Sequence, residues 1–217
     1  MQLALQRAAE ASGRSAQSVT LVAVSKGHPV ESIRAAAALG LRHFGENYLQ
    51  EAVGKVGSLA GLGLTWHFIG RLQANKTRPV AEHFDWVHTV DRLNIAERLS
   101  EQRPRFAPAL NVCLQVNIAA DPNKAGVAAT EVPTLARAVS VLPHLRLRGL
   151  MCMLPEQLDE RGRIQAFSAM NALLQSLREQ LPSLDSLSMG MSGDYQEAIA
   201  AGATMVRIGT AIFGPRA

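Results

Sequence analysis

The run Val19-Thr-Leu-Val-Ala-Val-Ser25, followed at once by Lys26, is apolar and β-branched for most of its length. Such a run reads as a strand covered on both faces. Similar short runs stand at residues 41–45, 65–70, 86–90, 109–118, 145–151, 184–189 and 204–208. Between them the apolar residues fall at helical intervals: Ile33, Ala36 and Ala37 in 31–39, Ile95 and Leu99 in 92–102. The same spacing places Val132, Leu135 and Val139 in 130–142, and Ile164, Phe167, Met170, Leu174 and Leu177 in 160–180. Eight strands alternating with helices predict a parallel sheet, because each parallel crossover has to carry a helix. An open doubly wound sheet and a closed (β/α)8 barrel both satisfy that order. The count of eight favours the barrel, and no Gly-x-Gly-x-x-Gly follows the first strand to support the open form. The expected architecture is therefore α/β: a (β/α)8 TIM-type barrel as a single domain over 1–217, with an extra N-terminal helix over 3–11 stopped at Gly13.

Of the 217 residues 47% are hydrophobic and 18% charged, which suits a large core and excludes a disordered chain. No apolar run approaches the roughly 20 residues that span a bilayer, and Met1 to Gly13 lacks a secretory apolar segment. A cytoplasmic protein is expected. Cys113 and Cys152 lie far apart in apolar segments and fit neither a disulfide framework nor a zinc spacing, so they read as buried core thiols. The net charge of +4 favours anionic partners in general, but no basic run marks a nucleic-acid surface. Of 22 basic residues only Lys26, Lys55, Lys76 and Lys124 are lysine. In so arginine-rich a chain each lysine is singled out, since arginine cannot form a Schiff base and a desolvated lysine can.

In a barrel the chemistry sits where strands end. Lys26 follows the first strand directly. A solvated lysine is neutral in only about one molecule in 2,500 at pH 7, and desolvation at the mouth raises that fraction. The bland alternative is a rim lysine whose stem packs and whose head reaches water. At the other end of the chain, Ser188-Met-Gly-Met-Ser-Gly193 follows the seventh strand and Arg207-Ile-Gly-Thr210 the eighth. Barrels often hold a phosphate between these loops and a short helix. Here Ser192 and Thr210 offer hydroxyls, and Gly209 allows close backbone approach. Arg207 sits within an apolar strand and needs an acceptor, either a core carboxylate or a ligand ring nitrogen. A lysine, a phosphate cradle and an inward arginine at one mouth together suggest pyridoxal phosphate.

Three blocks carry a resemblance: Phe44-Gly-Glu-Asn-Tyr48; Trp66-His-Phe-Ile-Gly-Arg-Leu-Gln-Ala-Asn-Lys76; and Ser188-Met-Gly-Met-Ser192 with Met205-Val-Arg-Ile-Gly-Thr-Ala-Ile-Phe-Gly214. From about Val19 onward the chain resembles the YggS/PROSC family of pyridoxal phosphate homeostasis proteins, whose members are similar to the N-terminal barrel of alanine racemase, a fold-type III arrangement. The resemblance implies pyridoxal phosphate held as a Schiff base on Lys26, with Arg207 facing the pyridine nitrogen. It further implies Ser192, Gly209 and Thr210 on the phosphate, and Asn47 lining the ring. The sequence departs from the family at Ser25-Lys-Gly-His-Pro29, where His28 replaces a second lysine, and at Gly193, where an acidic residue is common. The N-terminal helix also begins late.

The function expected is storage, buffering or delivery of the cofactor, without turnover, by a monomer that serves pyridoxal phosphate-dependent apo-enzymes. The rival is an amino-acid racemase. Two-sided proton transfer needs a second acid or base opposite the lysine. In alanine racemase the resemblance implies a tyrosine from a separate domain, which is not expected here, and Tyr48 and Tyr195 are the only tyrosines. A Schiff-base aldolase and a pure interaction module account for fewer of the residues. His43, His67 and His88 read as packed or backbone-bonded histidines without metal spacing. Lys76 reads as a helix start, and Lys124 as a solvated loop lysine or a transient acceptor of departing cofactor.

Overall fold

The computed structural model describes residues 1–215; Arg216 and Ala217, the last two positions of the expected domain, lie outside the described residues. Eight strands form one sheet: β1 (Thr20–Val24), β2 (His43–Glu46), β3 (Thr65–Phe68), β4 (Trp86–Val90), β5 (Leu110–Gln115), β6 (Leu145–Met151), β7 (Ser186–Ser188) and β8 (Met205–Ile208). Every neighbouring pair is parallel, and the sheet closes because Thr20 to Ala23 of β1 pair with Met205 to Ile208 of β8. α1 (Gln2–Ala11) precedes β1, as expected. α2 (Val30–Ala38), α3 (Leu49–Ser58), α4 (Thr77–His83) and α5 (Leu93–Gln102) follow the first four strands. α6 (Val132–Ser140), α7 (Glu160–Arg178), α8 (Tyr195–Ala200) and α9 (Thr210–Phe213) follow the last four.

Residue parity sorts the strands into two environments, because successive side chains point to opposite faces. Val22, Trp86, Cys113, Met151 and Met205, from five different strands, form a small apolar cluster inside the barrel. The larger cluster fills the shell between strands and helices, with Ala23, Phe44, Phe68, Val87, Leu114 and Val206 from the strands and Ile33, Leu99, Val139 and Leu174 from the helices. Two positions beyond the inward Trp86 and Met205 stand His88 and Arg207, so the barrel interior turns polar toward its C-terminal mouth. At its other end the Arg148 guanidinium lies 4.9 Å over the Trp86 ring and pairs with Asp185. Gly149 of β6 is required by close approach: a Cβ there would collide with the Ser186 backbone of β7.

The expected bounds agree fully at β4 and β6. The run 109–118 is cut short at Gln115: the Val116 N–H still donates to the Met151 carbonyl of β6 at 2.8 Å, and the chain then turns to an isolated bridge with Val127. α1 buries Leu5 and Ala9, and the Arg14 guanidinium beyond it donates to the Ile199 carbonyl of α8 at 2.8 Å.

Candidate functional site

A cavity of about 520 Å³ opens at the C-terminal ends of the strands, and Lys26, Asn47, Ser192, Arg207, Gly209 and Thr210 all line it. Parity explains three of them. Lys26 continues the inward series Val22, Val24 of β1; Asn47 continues His43, Gly45 of β2; Arg207 follows Met205 in β8. Ser192 lies in the loop after β7, and Gly209 is the residue before α9, which begins at Thr210. A Cβ at Gly209 would lie 3.3 Å from the Val24 carbonyl oxygen, so this loop presses against the end of β1.

Arg207 is 4% exposed. Its Nη1 donates to Ser188 Oγ at 2.7 Å and its Nη2 to the Cys152 carbonyl at 2.8 Å. Both acceptors are neutral, and among the described residues Arg207 forms no salt bridge. A core carboxylate, one of the two partners expected from sequence, is therefore not what holds it. Asn47 Oδ1 is buried and has no hydrogen-bond partner among the described residues. The site thus offers a cation hydrogen-bonded only to neutral acceptors, with Asp194 on the same cavity wall acting on it electrostatically, and an unused acceptor.

Two networks around the cavity were not legible as sites in the sequence. Behind Lys26, the buried Lys55 Nζ donates to the Ser25 carbonyl at 2.7 Å and to Glu46 Oε1 at 2.8 Å, and it pairs with Glu51. Glu46 also accepts from Ser25 Oγ at 2.6 Å, and Glu51 accepts from the Gly27 N–H at 2.8 Å. The residues on either side of Lys26 are therefore clamped to α3. Burial raises the pKa of the Glu46 carboxyl, against the lowering effect of Lys55 and Ser25. The only available signal was the scarcity of lysine, together with the Glu51–Lys55 spacing of four.

The second network crosses the barrel interior. His43 Nδ1 meets His67 Nε2 at 3.0 Å, His67 Nδ1 meets His88 Nε2 at 2.8 Å, and His88 Nδ1 meets Ser188 Oγ at 2.7 Å. The expectation of packed histidines holds for His67, which stacks on Trp86. Of the two alternatives expected, packed or backbone-bonded, it is packing that is seen, and the rings also bond to one another because parity points them into the lumen. Burial, with Arg207 as the second cause, lowers the pKa of His88 to about 3. Burial also holds His67 well below its ordinary value and lowers His43, whose pKa Asp85 raises in part.

The remaining residues fall as follows. His28 lines the cavity and stacks on Phe213 with ring centroids 5.0 Å apart. Lys76 precedes α4, and Lys124 lies in the loop after β5, away from the cavity wall. Tyr48 precedes α3 and is exposed; Tyr195 opens α8; neither lines the cavity. Cys113 and Cys152 are buried free thiols, each pushed up to about 12 by burial. Among the described residues no three His, Cys, Asp or Glu side chains are placed to hold a metal ion, and no helix is long and apolar enough to cross a membrane.

The family model described as alanine racemase, N-terminal domain, matches residues 4–217. The chain belongs to that family. Within the alanine racemase N-terminal domain family it is 57% identical over 213 residues to the pyridoxal phosphate homeostasis protein of Pseudomonas aeruginosa, covering 98% of this chain and 91% of that one. The Escherichia coli protein of the same name is 50% identical over 212 residues, covering 96% and 91%. These bear out the resemblance carried by the three sequence blocks. Among solved structures, PipY of Synechococcus elongatus without PLP superposes with a TM-score of 0.87 at 42% identity, covering 97% of this chain and 100% of that one. PipY with PLP bound gives a TM-score of 0.84 at 39% identity, with the same coverage. Alanine racemase of Corynebacterium glutamicum, 18% identical with a TM-score of 0.71, covers 99% of this chain and 60% of that one, and shares the fold.

Proposed function

We propose that this protein binds pyridoxal phosphate and acts in its homeostasis, storing, buffering or delivering the cofactor. The observation that carries the reading is the convergence of Lys26, Arg207 and the Ser192, Gly209 and Thr210 loops on one cavity of about 520 Å³. The names of the relatives and the PLP-bound PipY structure support it. The residues fit the group on this structure's own terms: among the described residues Arg207 has only neutral hydrogen-bond acceptors, Asn47 Oδ1 has no partner, and Gly209 leaves its loop flush against β1. When bound, pyridoxal phosphate supplies an aldehyde for an amine, a phosphate, and a ring nitrogen with a lone pair. Lys26 is the amine, half-buried just beyond the end of β1. Arg207 presents N–H donors to the ring nitrogen and so keeps that atom unprotonated. The Ser192 and Thr210 hydroxyls and the backbone at Gly209 hold the phosphate, and Asn47 borders the ring.

The same arrangement disfavours the racemase. An unprotonated ring nitrogen permits racemase chemistry while disfavouring most decarboxylation or transamination, but two-sided proton transfer needs a second acid or base opposite Lys26. Neither Tyr48 nor Tyr195 borders the cavity. The proposal extends to a monomeric, cytoplasmic protein whose barrel is one domain and which passes cofactor to apo-enzymes. The test is the visible spectrum with added pyridoxal phosphate, then borohydride reduction and peptide mapping. A band bleached by borohydride, with the reduced adduct on Lys26 and lost in Lys26→Ala, is expected. A colourless protein, or a stoichiometric adduct that survives Lys26→Ala, overturns the assignment. Alanine racemisation assayed on the same loaded protein is expected at background.

A further inference from the structure

Among the described residues, one arrangement of protons along the chain from Arg207 to His43 leaves no buried donor unpaired. A guanidinium can only donate, so Ser188 Oγ accepts from Arg207. The hydroxyl could also accept a second time, but Ser188 is buried and among the described residues His88 Nδ1 is its one other partner, so only an accepting His88 Nδ1 gives the hydroxyl proton somewhere to go. A neutral imidazole with Nδ1 bare carries its proton on Nε2, and His88 Nε2 faces His67 Nδ1. The same step sends the His67 Nε2 proton to His43 Nδ1. His43 opens β2, at the N-terminal end of the barrel, and is half-buried. An imidazolium at His67 would set N–H against the His88 Nε2–H, and one at His88 would leave the buried Ser188 hydroxyl proton without an acceptor among the described residues.

Each group therefore turns the negative end of its dipole toward Arg207. Inside a dry barrel such aligned dipoles do the work of solvent, and an isolated buried charge is prohibitive without them. The other charges near the chain are consistent with this. Asp85 acts on His43 at the far end, Arg207 acts on His88, Asp194 on the cavity wall acts on Arg207, and Arg148 lies over the Trp86 ring that stacks on His67.

We propose that Ser188 and His88 are positioning residues for the ligand contact of Arg207: the one-way chain Ser188–His88–His67–His43 fixes the guanidinium in a single orientation, so that the site takes a ligand through a ring nitrogen that carries no proton. The inference rests on the reading of Arg207 as the partner of the pyridine nitrogen. Its first test needs no ligand. Long-range ¹H–¹⁵N correlation of labelled histidine at pH 7 is expected to show His67 and His88 neutral, with the proton on Nε2. An Nδ1–H tautomer or an imidazolium at either residue overturns the chain.

The second test titrates pyridoxal phosphate into variants. Ser188→Ala and His88→Leu break the chain and are expected to raise the Kd at least about tenfold, the effect of losing a hydrogen bond to a charged group. The pH dependence of the visible band is expected to shift with it, while the borohydride adduct on Lys26 still forms at saturation. His88→Gln, which can accept from Ser188 and donate to His67, is expected to restore most of the affinity. A Kd and band unchanged from wild type in Ser188→Ala, whatever happens to Tm, reduces the network to a structural one and overturns the proposal. Failure of the functional reading is distinct, because it shows as wild-type protein that takes up no pyridoxal phosphate at all.

Discussion

Acidification from pH 7 to pH 5 should destabilise the protein through His88, and the size follows from its burial. In the unfolded chain a histidine titrates near 6.5, so it is mostly neutral at pH 7 and mostly protonated at pH 5. In the folded barrel His88 titrates at about 3, lowered by burial first and by Arg207 second, and stays neutral at both. The unfolded state therefore binds more protons as the pH falls, and folding stability falls with it. The stability is fully present above about 6.5 and is lost progressively on the way down to about 3. Between pH 7 and pH 5 the loss from this one group is about 2 kcal/mol. For a chain of this length that is about 4–8 °C in Tm. His67, also depressed, acts in the same direction. Glu46 and Asp194, both raised by burial, act in the opposite one. The assay is therefore a difference: thermal or urea melts of wild type and His88→Gln at both pH values. Wild type should lose about 2 kcal/mol more than the variant between pH 7 and pH 5. Equal losses, or a His88 resonance that titrates near 6, would refute a neutral, buried His88 and the proton arrangement built on it.

Three further outcomes are expected. Lys55→Met removes one partner of a buried pair and should cost about 3–5 kcal/mol in a urea melt, with Glu46→Gln in the same background recovering part of it, because the uncompensated charge is gone. Recovery by none of these changes would mean that Lys55 only packs. Cys113 and Cys152, with thiols pushed up to about 12, should resist a disulfide reagent at pH 8 in the native protein and both react in urea; rapid reaction of either in native protein would contradict their burial. Gly149→Ala forces a Cβ onto the Ser186 backbone and should cost more than about 4 kcal/mol, whereas Gly54→Ala, with open space around it on the exposed side of α3, should stabilise by about 0.5–1 kcal/mol. Similar melts for the two variants would remove the close-packing argument at β6 and β7.

The barrel was legible because its strands are buried on both faces, so that short apolar runs stand out against the polar loops around them. The limits of the runs were less legible. At 109–118 the apolar character continues through Val116 and Ile118, but β5 ends at Gln115 and from Asn117 the backbone N–H bonds to Val127 instead of a barrel strand; nothing in composition marks where a chain leaves a sheet. Helix starts follow the same logic. α7 begins where it was expected, and there Asp159 caps the helix by accepting from the Gly162 N–H at 2.8 Å. α3 and α8 have no side-chain cap, and no start signal placed them.

The candidate site divides along a physical line. Lys26, Arg207, Ser192, Gly209 and Thr210 could be placed because each sits at or just beyond the C-terminal end of a strand, and in a barrel all such ends face one mouth. Closure of the sheet alone brings them together, whatever the detailed register. The histidine chain needs more. Its links join residues 24, 21 and 100 positions apart. Each link depends on inward parity in two strands and on their stagger, so a shift of one residue in β3 would point His67 into the helical shell and sever the chain on both sides. Read singly, each histidine in its apolar strand is an ordinary core residue. What makes the three a unit is Ser188, which accepts from Arg207 and whose own buried proton finds its acceptor in His88, so that each bond after it runs one way.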